Sequence, residues 1–247
     1  MDSIQIEYRE QVTHMVNFIN TIFKEKVISI YLSGSVWSNE AILYHSDVDL
    51  FLVLTDYVDK EEIKKTFLKK LIEEYPFSPE PHISIYSLQQ LKTDHFTRFI
   101  MEYNCGLMYG NNIAKDLNKV IDKTINPSEK AYFQRLQFAK DAYEALKNGK
   151  RNLPNLGLLP SDTYFAARKL IKYFIVIEGA YYLMKVGNFK SFNTDEVFNS
   201  LENLQIINQN EKNLYKFVLT NPQESKVTEM DALKIIKDKI GIFLSEK

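Results

Sequence analysis

The sequence has very little cysteine and little arginine, and each scarcity narrows the classes of protein to consider. A single cysteine among 247 residues, Cys105, excludes an intramolecular disulfide framework and a cysteine-rich zinc site, and it fits a reducing compartment. Only 5 of the 31 basic residues are arginine, and no dense basic cluster with interleaved aromatics occurs. Nucleic acid is therefore disfavoured as the main partner, because arginine recognises phosphates and base edges best.

The sequence also lacks the apolar segments that direct a chain into or across a membrane. Its first residues show neither the basic nor the apolar region of a secretory signal, so we expect a cytoplasmic protein with no membrane partner. The most apolar stretch, residues 164–184, is interrupted by Arg168, Lys169, Lys172 and Glu178. It falls short of the roughly 18 uninterrupted apolar residues of a span and predicts a central bundle helix instead. Charges inside such a helix need partners or a function, because burying a charge is costly.

The net charge is −1, but the two halves of the chain differ in sign. Residues 1–125 hold 13 Lys/Arg against 18 Asp/Glu, whereas residues 126–247 hold 18 against 14. An acidic front half suits a metal site, and a mildly basic rear half could help to hold an anionic ligand. Chance variation of the surface explains the difference equally well, because a few residues decide it.

Hydrophobic periodicity predicts two domains of different class. The front part, residues 1–125, alternates predicted helices (5–24, 59–75, 88–103) with predicted strands (27–32, 49–54, 82–86, 105–109). This alternation predicts an α/β (α+β) domain in which helices pack on a mixed sheet. The rear part, residues 126–247, shows only helical patterns, over 128–148, 161–186, 194–204, 210–219 and 229–245. We therefore expect an all-α helical bundle domain there.

Two short motifs in the front half carry the chemistry. The strand-like run 27–32 ends at Gly34-Ser35, and the acid pair of Ser46-Asp47-Val48-Asp49 begins 13 residues after the glycine. Residues two apart in an extended chain project from the same face, so Asp47 and Asp49 are expected to aim both carboxylates at one spot. Neighbouring carboxylates raise each other's pKa unless a cation lies between them. Oxygen ligands favour Mg²⁺ or Mn²⁺ over zinc.

A strand, a Gly-Ser turn, a short helix and Ser-Asp-x-Asp on the next strand resemble the signature of the nucleotidyltransferase superfamily that includes DNA polymerase β. The resemblance covers about a third of the chain, residues 27–110. It implies that Gly34 and Ser35 bind the phosphates of a nucleotide and that Asp47 and Asp49 hold two Mg²⁺ ions. A glycine lets backbone N–H groups approach phosphate oxygens, and two metal ions clamp the attacking and leaving oxygens of an in-line displacement.

The order of a small front domain and a helical rear domain is also similar to that of aminoglycoside and lincosamide adenylyltransferases. Those enzymes move AMP from ATP to an antibiotic hydroxyl, with the acceptor held between the two domains. The segment Gly106-Leu107-Met108-Tyr109-Gly110 resembles the short strand that closes their front domain. This resemblance implies ATP as co-substrate and a small hydroxyl-bearing acceptor.

The sequence departs from the superfamily pattern where a second glycine and a third acid are expected. Asn39 stands five residues after Gly34, in the place of the second glycine, and asparagine tolerates a positive φ better than most residues. The predicted strand 82–86 has no acid, because His82 occupies the expected position and Glu80 lies just before the strand. His82 could serve as base, Glu80 could reach the site, an acid of the helical half could replace both, or catalysis could be impaired.

Other candidate residues each have a structural alternative. Ser46 binds the nucleotide or a nearby backbone group. Glu178 is a general base or an acceptor-binding acid of the rear domain, or it pairs with a lysine inside the bundle. Arg168 and Lys172, four apart on one helical face, contact the triphosphate or form a solvated stripe. Trp37, the only tryptophan, stacks on a base or an acceptor, or it packs within the turn.

These features predict a Mg²⁺-dependent nucleotidyltransferase that transfers AMP from ATP to a hydroxyl of a small molecule such as an aminoglycoside or related antibiotic. One alternative is a toxin-neutralising enzyme that adenylylates a protein. Another is a nucleotide-binding module without catalysis, which the missing third acid motivates. The acceptor, the nucleotide preference and the oligomeric state stay open at the level of sequence.

Overall fold

The chain divides into two compact units, residues 1–127 and 128–247. The computed structural model describes residues 4–56, 69–121, 127–154 and 156–245. The domain boundary that the sequence predicts between residues 125 and 126 lies outside the described residues and stays a prediction.

The front unit alternates helices and strands, as its periodicity predicts. Its main elements are α1 (Ile6–Phe23), β1 (Val27–Ser33), α2 (Gly34–Trp37), β2 (Asp49–Leu54), α3 (Lys69–Glu74), β3 (His82–Ser87), α4 (Leu88–Thr93), α5 (His95–Tyr103), β4 (Gly106–Gly110) and α6 (Ile113–Ile121). The strands form one mixed sheet in the order β3-β2-β1-β4, with β2 and β3 parallel and the other neighbours antiparallel. The predicted α/β (α+β) class is confirmed.

Both faces of this sheet are buried, which explains why its strands are apolar on both sides. On one face, α1 presents an apolar stripe that includes Val12 and Met15, and this stripe packs in one cluster with Leu32 of β1. On the other face, Tyr31 of β1 packs in a cluster with Leu91 of α4. Burying a large apolar side chain stabilises a fold by about 1.5–3 kcal/mol, so the two clusters fix the strands that carry the acid pair.

The predicted helix over residues 88–103 is in fact two helices, α4 and α5, which meet at Asp94. Asp94 lies outside the helical region of backbone angles, and its carboxylate accepts hydrogen bonds from the Thr97 backbone N–H (2.9 Å) and hydroxyl (2.6 Å). An aspartate in this position starts a new helix because it satisfies an N–H group that has no intrahelical partner. Of the predicted helix 59–75, residues 59–68 lie outside the described ones, and Lys69–Glu74 forms α3.

Arg98 joins α4, α5 and α6 although it is completely buried. Its Nη1 donates to the carbonyl oxygens of Leu91 (2.8 Å) and Lys92 (2.6 Å), and its Nε donates to Asn118 Oδ1 (2.9 Å). Carbonyl groups at the C-terminal end of a helix lack intrahelical partners, so a cation there is stabilising. These bonds compensate for burying the guanidinium and hold α4 at the break.

The rear unit is largely helical, with one departure from the all-α prediction. Its elements are α7 (Pro127–Lys147), β5 (Asn152–Leu153), β6 (Gly157–Leu158), α8 (Thr163–Ile171), a π-helical segment (Lys172–Ile177), α9 (Glu178–Lys185), α10 (Thr194–Asn203), α11 (Gln209–Thr220), α12 (Pro222–Ser225) and α13 (Glu229–Phe243). The predicted loop after α7 contains a small hairpin of β5 and β6. Gly157 has a φ of +75°, a conformation that tight turns require and glycine adopts without strain.

α8, the π-helical segment and α9 run consecutively along the apolar stretch that the sequence predicts to be a central helix. α8 begins after Asp162, whose carboxylate accepts hydrogen bonds from the backbone N–H groups of Tyr164 (2.8 Å) and Phe165 (3.1 Å). Most residues of the stretch are buried in the apolar cluster of the rear unit. Within the described ranges, no helix has both the length and the mean hydropathy that are needed to span a lipid bilayer.

Two basic side chains of the rear unit bind carbonyl groups at or beyond the C-terminal ends of helices. Arg168 Nε donates to the carbonyl oxygen of Leu219 (2.8 Å), near the end of α11, and Lys239 Nζ donates to that of Ile206 (2.8 Å), just beyond α10. A positive charge at such an end is stabilising. At these positions the basic excess of the rear half serves the packing of its helices.

Candidate active site

Asp47 and Asp49 lie on one side of the chain at the start of β2. Both are half-buried, whereas Val48 between them is completely buried. Asp49 opens β2 and pairs with Ser33, the last residue of β1. The two-residue period thus places both acids at the end of the sheet where β1 passes into α2.

Gly34 is in direct contact with Asp49 of this acid pair. It has a φ of +70°, and a Cβ built on it would lie 2.2 Å from Asp49 Oδ2 and 3.1 Å from Asp49 Cγ. Only a residue without a side chain lets the carboxylate approach the backbone so closely. Ser35 follows in the same turn, and its carbonyl oxygen accepts a hydrogen bond from the Glu40 backbone N–H (2.9 Å). The glycine turn and Asp49, 15 residues apart in the chain, are therefore neighbours in the fold.

His82 borders the acid pair from β3. It is the parallel partner of Asp49, and its Nδ1 lies 3.7 Å from Asp49 Oδ1. The His82 side chain is 66% exposed and that of Asp49 is 30% exposed, so a ligand can reach both. The imidazole therefore stands where the superfamily pattern calls for a third acid. Glu80 is exposed in the segment before β3.

Ser46 stabilises the loop between α2 and β2. Its Oγ accepts a hydrogen bond from the Ile42 backbone N–H (2.9 Å), its carbonyl oxygen accepts one from the Tyr8 hydroxyl (3.2 Å), and only 4% of the residue is exposed. This geometry favours the local backbone role over nucleotide binding. Asn39 in the same loop has a φ of +61°, as expected for a residue that replaces a glycine.

The donor set of the site fits a hard divalent cation. Asp47 and Asp49 offer oxygen ligands only, which suits Mg²⁺. Among the residues that the structure describes, no three His, Cys, Asp or Glu side chains are placed to hold a metal ion. Two carboxylates are enough for Mg²⁺, which is often bound by one or two carboxylates together with substrate phosphates and water.

Cys105 lies at the margin of the same site, which the sequence did not indicate. Gly106 pairs with Leu32, so Cys105 lies beside Ser33, the partner of Asp49. Burial, and then the negative charge of Asp49, raise the pKa of the Cys105 thiol well above its usual value. The thiol therefore stays protonated and is not a nucleophile. Its placement depends on the register of two strands far apart in the chain.

Glu178 is enclosed in the rear unit and pairs with Arg135, not with a lysine. Its side chain is 3% exposed. Its Oε1 accepts a hydrogen bond from Arg135 Nε (2.7 Å) and forms an ion pair with Arg135 Nη2 (2.6 Å). The guanidinium carbon also lies 4.4 Å from the ring centre of Tyr173. The predicted role of Glu178 as a base for the acceptor has no support in this geometry, because the carboxylate would first have to leave a buried ion pair. We assign it to the packing of α7 against α9.

Arg168 and Lys172 also lie in the rear unit. Arg168 lies in the last turn of α8 with its Nε bonded to the carbonyl of Leu219, as described, and Lys172 begins the π-helical segment. Their contact with a triphosphate stays a prediction. The bond of Arg168 favours its structural alternative.

The Arg135–Glu178 pair makes a testable prediction about pH. Burial raises the pKa of Glu178 from 4.5 to about 7, and the positive charge of Arg135 offsets this only in part. The folded state therefore binds a proton that the unfolded state releases, so stability should fall as the pH rises from about 5 to about 7 and then level off. The four histidines all precede residue 96, so no histidine of the rear half titrates in this range.

Glu178→Gln is expected to abolish this fall in the melting temperature of the rear unit, measured by circular dichroism from about pH 5 to pH 8. Near pH 5 its melting temperature should stay close to that of the wild type, because Glu178 is itself uncharged in the folded protein there. Glu144→Gln, on the exposed side of α7, is the matched control and should keep the wild-type profile. A Glu178→Gln protein that keeps the wild-type slope would contradict the assignment.

Comparison with known proteins agrees with this geometry. Residues 15–103 match the family model described as a nucleotidyltransferase domain, and this range contains the glycine turn, the acid pair and His82. The front unit is thus a nucleotidyltransferase domain, and the protein is a transferase of the nucleotidyltransferase class. Its fold is similar to that of the spectinomycin adenyltransferase AAD(9) from Enterococcus faecialis, whose crystal structure contains ATP and spectinomycin. That match has 12% identity and a TM-score of 0.56, and it covers 96% of this chain and 99% of the other.

Two further solved structures from Shewanella oneidensis match part of the chain. One, with 13% identity and a TM-score of 0.31, covers 57% of this chain and 97% of its own. The other belongs to the complex of a tri-AMPylated HEPN toxin with the MNT antitoxin, with 17% identity, a TM-score of 0.30, and coverage of 56% and 97%. No curated protein sequence matches the chain significantly.

Proposed function

We propose that the protein is a Mg²⁺-dependent adenylyltransferase that transfers AMP from ATP to a hydroxyl of a small molecule such as an aminoglycoside or related antibiotic. The observation that carries the proposal is the contact of Gly34 with Asp49. It brings a glycine turn, which is suited to binding phosphate, next to an acid pair, which is suited to binding a metal ion. The fold shared with AAD(9), a protein crystallised with ATP and spectinomycin, supports ATP and a small acceptor.

In this reaction the acceptor oxygen attacks the α-phosphorus of ATP. The bond from the α-phosphorus to the bridging oxygen of the β-phosphate breaks, pyrophosphate leaves, and the hydroxyl proton passes to solvent or to a nearby base. The backbone of Gly34 and Ser35 would bind the phosphates, and Asp47 and Asp49 would hold Mg²⁺. When bound, Mg²⁺ neutralises the charge that develops on the phosphate oxygens.

His82 would contact the acceptor hydroxyl. Its Nδ1 faces Asp49, so the Nε2 side of the exposed ring points away from that carboxylate. A group beside the acids is suited to orient the attacking oxygen, and such positioning accounts for a large part of catalysis in phosphoryl-type transfers. Because the reaction consumes ATP, we place the protein in the cytoplasm as part of this proposal.

The proposal is tested by incubating the purified protein with α-labelled ATP, Mg²⁺ and a panel of hydroxyl-bearing antibiotics. We expect pyrophosphate release that depends on one class of acceptor, an acceptor heavier by AMP in the mass spectrum, and loss of both on chelating the metal. Transfer of AMP to a co-purified protein, and to none of the antibiotics in the panel, would support the toxin-neutralising alternative. Mg²⁺-dependent ATP binding without pyrophosphate release from any acceptor would support the non-catalytic module and contradict the proposal.

A further inference from the structure

Trp37, the only tryptophan of the chain, lies flat on Gly106. A Cβ built at Gly106 would lie 2.3, 2.4 and 2.5 Å from Cζ3, Cη2 and Cε3 of the indole ring. Three adjacent ring atoms at nearly equal distances mean that the face of the six-membered ring covers the glycine. The ring is rigid and packs, half-buried, against the apolar cluster of the front unit, so a side chain at residue 106 would displace all of it.

This contact holds one end of α2, and Asp49 contacts the other end. α2 is a single turn, closed by the bond from the Ser38 N–H to the Gly34 carbonyl (3.1 Å). One turn is not stable alone, because fixing its backbone costs more than one hydrogen bond returns. Its position is therefore set by tertiary contacts, above all the completely buried Val36 and the ring of Trp37.

Two glycines thus let the turn approach the strands on either side of it. Gly34 admits the carboxylate of Asp49 from β2, and Gly106 of β4 admits the ring of Trp37. β2 and β4 flank β1, and the turn continues directly from β1. A turn anchored to both neighbours cannot shift relative to the acid pair unless one of the two contacts opens.

We propose that Trp37 and Gly106 are positioning residues for the nucleotide. Their contact sets the distance between the backbone N–H groups of the Gly34-Ser35 turn and the carboxylates of the acid pair. The proposal rests on the proposed function, since the ligand positioned is the phosphate chain of a nucleotide. Breaking the contact between Trp37 and Gly106 should therefore lower the affinity for the nucleotide and leave the affinity for the acceptor unchanged.

The test measures the dissociation constant of a non-hydrolysable ATP analogue with Mg²⁺ by calorimetry. Gly106→Ala is expected to weaken binding about tenfold or more, because displacing Trp37 moves the backbone N–H groups of the turn away from the charged phosphates. Gly241→Ala is the control: this glycine lies in α13, and a Cβ there would meet nothing within 4 Å. The control should bind as tightly as the wild type.

Trp37→Ala is a second variant that removes the same contact without creating a collision. It therefore tests the contact even if Gly106→Ala does not fold. It should weaken nucleotide binding as well, and the double variant should be no weaker than the worse single variant, since both remove one contact. In the wild type, the analogue should also change the emission of Trp37 without any acceptor, because the only tryptophan lies on the turn.

The proposal is overturned if Trp37→Ala binds the analogue as tightly as the wild type does. It is also overturned if the analogue changes neither the emission nor the calorimetric heat of the wild-type protein. In active variants, a lower kcat with an unchanged KM for ATP also overturns it, because that pattern indicates only less folded enzyme. The calorimetry needs no acceptor and no turnover. A wild type that binds the analogue through the contact but transfers no AMP would refute the proposed function and leave the positioning contact supported.

Discussion

Asp49→Asn is expected to lower the rate of AMP transfer by a factor of about a hundred to a thousand or more, while the protein stays folded. The amide has nearly the shape of the carboxylate, so the close contact with Gly34 can persist. What is lost is the negative charge that holds the metal. Transfer is measured as pyrophosphate release at saturating ATP and acceptor, and folding as the melting temperature.

Asp56→Asn is the matched control for this experiment. Asp56 is an exposed acid just beyond the other end of β2, where its Oδ2 accepts a hydrogen bond from the Thr55 hydroxyl (3.3 Å). Its substitution makes the same change of charge on the same unit and should leave transfer unchanged. If both variants kept wild-type rates, Asp49 would be a solvated strand end and the assignment of the acid pair would be refuted.

Gly34→Ala is expected to reduce transfer by a factor of about a hundred. A methyl group at this position would lie 2.2 Å from Asp49 Oδ2, so either the carboxylate or the turn must move. The φ of +70° adds strain, because a left-handed conformation costs a residue with a side chain about 1–2 kcal/mol. We expect a raised KM for ATP together with a lowered kcat, since the phosphates and the metal are both displaced.

Gly187→Ala separates the two effects of the Gly34 substitution. Gly187 has a φ of +74°, but a Cβ there would meet nothing within 4 Å. This variant carries the conformational strain without the collision, so it should lose only the stability that the strain costs and keep its transfer activity. Equal losses of activity in the two variants would show that general destabilisation, and not displacement of the acid pair, lowers the rate.

Much of the site was predictable because it depends on local patterns. The two-residue period of a strand predicts that Asp47 and Asp49 share one side, and the half-buried acids around a buried Val48 agree with this. A positive φ at Asn39 was likewise expected from the residue type alone. The break of the predicted helix 88–103 at Asp94 was missed, because the apolar spacing continues across it and only the capping bonds of Asp94 divide the helix.

Contacts between distant segments were not predictable in the same way. Glu178 is an isolated acid in an apolar stretch, and this pattern occurs both for a functional base and, more often, for a buried ion pair. The partner, Arg135, is 43 residues away, and only the packing of α7 on α9 brings it within 2.7 Å. Trp37 presented the same ambiguity, and the register of β4 against β1 decides that it packs on Gly106.

By itself the sequence determined the class of each half of the chain and the identity of the glycine turn and the acid pair, because backbone geometry and side-chain periodicity act over a few residues. Only the tertiary structure decided that the turn touches Asp49, that His82 stands beside it and that Glu178 is enclosed. Those outcomes depend on strand order and helix packing. These are set by burial summed over a whole domain, and a one-residue change of register would reverse them.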